Sequence, residues 1–293
     1  MKTGFKDLDN VMCIERGDVV VVGGSTAMGV SSLLRQISFH NVKNGVQVDF
    51  LDLQNTPTDH LIRVLSQECE IERSVLLKEP LGNTVSILKS IQEQQKRDVE
   101  SGEGNCLSGE QFQALLAKLI YIQNRKNYRI GNLDCMGILE YISEIEKMPE
   151  VLVIDPIQFG CFRDDKGAYL SIAMKLLKQK ALKDETVVFV GSRLSRNVDN
   201  RQGHRPMLSD LAESSSLENV ADKVLFILRR EHYDPLDKPG LAEIIVPKNN
   251  RSVPCISVTL SFRKDISAFS DYSPVINYDS REVDPVTAAA DAL

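Results

Sequence analysis

Short, β-branched, wholly apolar runs alternate along this sequence with helical patterns, and that alternation limits the fold more than any other feature. Asp18–Gly23 (DVVVVG), Gln47–Leu53, Val151–Asp155 (VLVID), Thr186–Gly191 (TVVFVG) and Lys223–Leu228 (KVLFIL) are the clearest such runs. A strand apolar on both faces must be covered on both faces, so the pattern predicts an α/β fold with a mainly parallel central sheet flanked by helices. Phe112, Leu115, Leu116, Leu119 and Ile120 fall on one helical stripe, and Leu170, Ala173, Leu176 and Leu177 on another. From Leu241 to Phe262 the pattern changes to two extended runs around Pro247–Arg251, which predicts an antiparallel hairpin closing the edge of the sheet.

The chain of 293 residues is long enough for one such domain with a full core. Residues 1–272 are expected to form it. The polar stretch at about 92–105 reads as an insertion, and 273–293 as a flexible tail. No apolar run approaches the roughly 20 residues that span a bilayer, and Met1–Phe5 lacks an apolar signal region, so a cytoplasmic protein is expected. The net charge of −6 argues against a surface that coats nucleic acid, although a local basic loop would suffice for phosphate contact. Six scattered cysteines without a CxxC pair read as incidental thiols rather than a metal site.

The first strand runs into Gly24-Ser25-Thr26-Ala27-Met28-Gly29-Val30-Ser31-Ser32 and then an apolar helix. Gly24, Gly29 and Ser31 keep the spacing of the phosphate-binding consensus GxxxxGK[ST], in which backbone N–H groups and a helix N-terminus face phosphate oxygens. The lysine position holds Val30. Asp155 ends an apolar strand, where its carboxylate can hold Mg²⁺ with Ser31 as the second protein ligand.

From Thr3 to Phe262 the chain resembles the motor domain of the DnaB family of replicative DNA helicases, which implies a RecA-like P-loop NTPase fold. Thr3-Gly4-Phe5 with Leu8-Asp9 resembles that family's entry motif TGxxxLD, and Ala27–Ser32 resembles SMGKTT. Val151–Gln158 resembles the IDYLQ stretch, and Arg205–Ser214 resembles RPxxSDLRESG. Ser216–Asp222 resembles SIEQDAD, and Ala242–Lys248 resembles AEIIxxK.

The resemblance implies ATP and Mg²⁺ as cofactors. It also implies single-stranded DNA, copies of the chain in a ring, and other replication proteins as partners. Gln158 matches the family glutamine, and Lys248 the lysine before its arginine finger. Arg251 falls one residue late for that finger, so a finger reaching a neighbouring subunit and a solvated hairpin-tip arginine both stand. Gln54 occupies the position of the family's water-activating glutamate, and a glutamine orients water but is a far poorer base. Asp52, two residues away, is the alternative base. Arg193 stands where the family has glutamine, facing either the γ-phosphate or DNA. Two loops are expected along a DNA channel, one with Arg163 and Lys166, the other with Arg196, Arg201 and Arg205. The family's N-terminal collar and linker helix lie outside this similarity. With Val30 and Gln54 in place of lysine and glutamate, rapid hydrolysis is not expected. A helicase and a non-hydrolysing scaffold or regulatory partner of another replication protein remain the two readings.

Overall fold

The computed structural model describes residues 1–76, 117–118, 122, 125–131, 137–160, 166–211, 215–251 and 256–273. The stripe at 112–120 falls almost wholly outside these residues. So do the insertion at 92–105 and all but the first residue of the segment at 273–293.

Among the described residues nine strands make one sheet in the order β3-β2-β4-β5-β1-β6-β7-β8-β9. They are β1 (Val19–Gly24), β2 (Val48–Asp52), β3 (Tyr128–Gly131), β4 (Val151–Asp155), β5 (Val187–Arg193), β6 (Lys223–Leu228), β7 (Leu241–Asn249), β8 (Ile256–Arg263) and β9 (Ala268–Asp271). The first six are mutually parallel, and the last three continue the sheet antiparallel. The helices are α1 (Lys6–Val11), α2 (Val30–Lys43), α3 (Pro57–Cys69), α4 (Arg73–Leu76), α5 (Ile138–Glu144), α6 (Lys166–Asp184) and α7 (Ser215–Val220). The expected α/β architecture, with a mainly parallel sheet and an antiparallel edge, is therefore observed.

Side chains alternate between the two faces of a strand, and here each face has its own core. Val20, Val22, Phe50, Val153 and Phe189 pack with α2 and α3 on one side. Val19, Val21, Leu51, Leu152, Ile154 and Val190 pack with α5 and α6 on the other. Leu170, Ala173 and Leu177 of α6 are fully buried in this second core, and Leu176 packs at its margin. Helix α3 starts where Thr56 accepts a hydrogen bond from the Asp59 N–H, with Pro57 in its first turn, a favoured cap and a favoured first residue.

Four elements differ from expectation. The turn of the hairpin follows Asn249 rather than centring on 247–251, because Lys248 and Asn249 still pair with Val224 and Lys223 across a bulge. β5 runs two residues further than expected, to Arg193. β3 and β9 add an edge at each end of the sheet.

Two buried polar groupings hold the sheet. Lys223 and Asp18, both fully buried, form an ion pair at 2.6 Å. Burial pushes the Asp18 carboxyl up, but the Glu15 N–H, Lys223 and Arg251 outweigh it and hold it below the ordinary range. At the other side, Asp52 accepts from His60 Nδ1 at 2.9 Å, and the Tyr128 hydroxyl lies 2.6 Å from His60 Nε2. Burial drives His60 down to about 4 despite Asp52, so the ring is neutral at pH 7. Its single proton sits on Nδ1, because Asp52 only accepts, and Tyr128 donates to Nε2.

Replacing Tyr128 with Phe leaves that buried nitrogen without a donor. The expected loss is about 1–3 kcal/mol of unfolding free energy, measured by urea denaturation; an unchanged midpoint would show that the hydroxyl contributes nothing.

Candidate functional site

β1 has β5 and β6 as parallel neighbours. The segment after Gly24 therefore emerges at the carboxyl edge of the sheet, between the ends of those strands. The turn to α2 is tight, with Ala27 at φ 66° and Gly29 at φ 104°, both in the left-handed region. A Cβ on Gly29 would lie 2.7 Å from the Phe269 ring, so both the backbone angle and the space require glycine.

Here opens a cavity of about 360 Å³ lined by Gly24, Ser25, Thr26, Ala27, Gly29, Val30, Ser31 and Ser32. Met28 is the exception. It is buried in the first core, and its sulfur accepts from the Arg229 N–H at 3.4 Å; the left-handed turn points its side chain away from the cavity. Asp155, Gln54 and Arg193 also line the space, with Asn55, Pro156 and Ser192.

Asp155 is 2% exposed and accepts a hydrogen bond from Ser31. Burial pushes its carboxyl up to about 6; the Ser31 bond and Arg35 work against this and Asp52 with it. Gly191 makes the room, since a Cβ there would fall 2.2 Å from Asp155 Oδ1. Among the described residues no cluster of three or more metal-ligating side chains exists. One carboxylate beside one hydroxyl suits Mg²⁺, which keeps several waters and takes its other ligands from phosphate.

Gln158 stands behind the cavity, donating to Ser192 Oγ at 2.9 Å and accepting from the Arg193 N–H at 3.3 Å. It thus fixes the end of β5 rather than lining the space. The Arg193 guanidinium lies 4.4 Å from the centre of the Phe159 ring. Asp52 accepts from the N–H groups of Gln54 and Asn55, the Asn55 amide and His60. With its lone pairs engaged in holding the turn, it is no free base for water at this site.

Lys248 and Arg251 are remote from the cavity. Lys248 donates to the Glu218 carbonyl, and Arg251 pairs with Glu15 and Asp18. Both sit beside the start of β6, about 16 Å from its carboxyl end at roughly 3.3 Å per residue. They cannot complete this chain's own cavity and would have to act on another copy.

Of the loop cations, Arg201 is bonded twice to Asp210, and Arg205 to Glu243 and Ser257. Arg196 is exposed and, among the described residues, has no such partner. Arg163 lies outside the described residues, and Lys166 opens α6 with its side chain outside them.

Sequence reasoning missed Arg35, Arg63, Arg229, Phe262, Lys264 and Ser267, which also line the cavity. Arg35 follows Ser31 by one helical turn, a spacing that could have flagged it. Arg229 carried no local signal. It bonds Glu231 twice and donates to the Ala27 carbonyl at 3.0 Å, with its guanidinium over Phe262, so it braces the turn from β6.

Asp155 yields a pH signature. Its proton is held in the fold up to about pH 6 but released from the unfolded chain near 3.8. Its contribution is therefore favourable below about pH 4 and lost as pH rises through 6. Without nucleotide or Mg²⁺, Asp155→Asn should gain up to about 3 kcal/mol at pH 7–8 and nothing near pH 4, measured by denaturation at each pH. His60 titrates in the same window with opposite sign, and the difference between variant and parent cancels it. A pH-independent difference would rule out this account.

Comparison with known proteins gives a consistent result. Residues 1–271 match the family model described as DnaB-like helicase C terminal domain. A probable plasmid replicative DNA helicase of Chlamydia psittaci is 28% identical over 278 residues, 92% of this chain and 55% of that protein. The replicative DNA helicase DnaB of Geobacillus stearothermophilus is 26% identical over 298 residues, 97% of this chain and 58% of that protein. The chain thus spans little more than half the length of these curated relatives. A solved DnaB-like replicative helicase, studied with its interactions with primase, superposes with a TM-score of 0.76 at 23% identity, covering 93% of this chain and 62% of that one. A solved ATPase domain gives 0.74 at 23% identity, covering 93% and 91%.

Proposed function

Because the chain belongs to the family of DnaB-like helicase C-terminal domains, a family of DNA replication, we propose that it binds ATP with Mg²⁺ and hydrolyses it slowly or not at all. The observation that carries this is one cavity in which Gly24, Gly29, Ser31 and Asp155 converge while Val30 and Gln54 stand among its lining. The cradle and the metal position are kept. The ammonium that neutralises phosphate charge and the carboxylate that activates water are replaced.

Phosphoryl transfer is mostly positioning and charge neutralisation. Losing one electrostatic donor typically costs on the order of 10²–10³ in rate, and two such groups act as a unit, so their losses need not multiply. In this reading Ser31 and Asp155 hold the metal, the backbone of residues 24–31 holds the phosphates, and Gln54 orients water weakly. The chain then serves replication as a nucleotide-responsive scaffold or regulatory partner in the cytoplasm, contacting other replication proteins, copies of itself in a ring, or single-stranded DNA. The alternative, an ATP-driven helicase, draws on the family and on Lys248 and Arg251, which face away from the chain's own cavity as trans-acting groups would. Among the described residues no helix is long and apolar enough to cross a membrane.

Steady-state ATP turnover is expected near background with and without single-stranded DNA. Vigorous DNA-stimulated turnover that disappears in Asp155→Asn would overturn the slow-hydrolysis reading in favour of the helicase. For DNA, Arg196 is the cleanest probe, because Arg201 and Arg205 are engaged within the chain. Each single-strand phosphate contact contributes about −0.7 to the slope of log K against log salt. Arg196→Ala should weaken oligonucleotide binding and flatten that slope by about this amount, whatever the base sequence; identical isotherms across the salt range would exclude the loop as a DNA contact.

A further inference from the structure

The cavity holds an excess of positive charge, and one of its cations has no evident structural role. Arg35 is 2% exposed, yet among the described residues it makes no hydrogen bond and no ion pair. Its Nε is buried without a partner, and so are those of Arg63 and Arg73. Arg35 and Arg63 both line the phosphate cavity, and all three arginines line a small void of about 20 Å³ directly behind it. The charges facing Arg35 are Asp155 and Asp52, which favour it, and Arg73, which opposes it, with the Tyr128 hydroxyl also near; burial outweighs all of them. A guanidinium carries five donors, and burying it unpaired is among the costlier things a fold can do. An anion entering the cavity would satisfy it.

The position fits that purpose. Arg35 is four residues beyond Ser31 on α2, so the two share a helix face, and Ser31 is hydrogen-bonded to Asp155. Residue 30 offers no such charge. Val30 packs into the turn, with its Cγ2 2.8 Å from where a Cβ on Gly24 would lie.

We propose that Arg35, supported by Arg63, supplies to the nucleotide's phosphates the positive charge that Val30 does not, one helical turn later on the same helix. The proposal rests on the nucleotide-binding reading above. A planar guanidinium engages phosphate oxygens in pairs where an ammonium acts as a point charge. The phosphate group is thereby bound by a rigid fork fixed in the wall of the site, and binding no longer depends on the residue that follows Gly29.

The test uses the full chain and compares wild type, Arg35→Met, and Arg35→Met with Val30→Lys. Affinities for a fluorescent ATP analogue and for inorganic triphosphate are measured in Mg²⁺, and melting temperature without ligand. Loss of a charge-assisted contact predicts roughly ten- to a hundred-fold weaker binding of both ligands by Arg35→Met, with partial recovery on adding Val30→Lys. Because the deleted charge is unpaired, the melting temperature of unliganded Arg35→Met should hold or rise; a fall together with wild-type affinity marks a structural ion and overturns the proposal. If Arg35→Met does not fold, Arg35→Gln takes its place with the same expectations. A folded variant that binds ATP as tightly as wild type overturns the proposal and leaves nucleotide binding standing. A wild type that binds neither ligand removes both readings, and one that binds triphosphate alone marks a general polyphosphate site and overturns the assignment to a nucleotide.

Discussion

Everything at the candidate site depends on where β1 lies. All six of its residues are buried, and a buried backbone must satisfy its N–H and C=O groups within the sheet. β1 does so with a parallel strand on each side. A strand so enclosed leaves the sheet only at its ends, so the glycine turn is delivered to the edge where β2, β4 and β5 also finish. Asp52 and Asp155 end side by side in register, and Gly24 ends beside Arg193. The convergence of loop, carboxylate and cations thus follows from strand direction rather than from local sequence.

That edge is electrostatically lopsided. Arg35, Arg63, Arg193, Arg229 and Lys264 surround the cavity, with Asp155 as the one acidic member of its lining among the described residues. Of these cations, Arg229 and Lys264 are tied to Glu231, while Arg35 is tied to nothing among the described residues. The single carboxylate is itself held reluctantly in its charged form. The opposite edge of the sheet gathers a different network, in which Lys223, Asp18 and Arg251 satisfy one another. One end of the sheet is electrostatically balanced, and the other carries a surplus of positive charge among the described residues.

Much of this was legible in the sequence. Runs such as VLVID and KVLFIL could only be strands of a sheet covered on both sides, and the glycine spacing marked the tight turn after β1. β3 and β9 escaped notice because YRIG and AFSD are too short and too polar to show a period. Gln158 was recognised by position, but only geometry showed that it holds Ser192 and Arg193 rather than lining the cavity. For Arg251 the sequence left a finger toward a neighbouring subunit and a solvated hairpin-tip arginine both open; its tie to Asp18 spans 233 positions, and no local pattern encodes such a contact. Arg35 drew no reading from the sequence, since sequence shows which residues a helix carries but not which neighbours fail to meet them.

The roof of the glycine turn comes from the far end of the fold. Phe269 closes against Gly29, and its backbone N–H and carbonyl bond the Gln36 amide, 233 positions away. Phe262, Lys264 and Ser267 complete the wall. During synthesis, then, the turn, its helix and the central strands would leave the ribosome well before the segment that encloses them. Contacts of such sequence separation form late. A nascent chain stalled anywhere before β8 would carry the glycine turn open and unroofed, so the enclosed cavity comes into being only once β8 and β9 have been made.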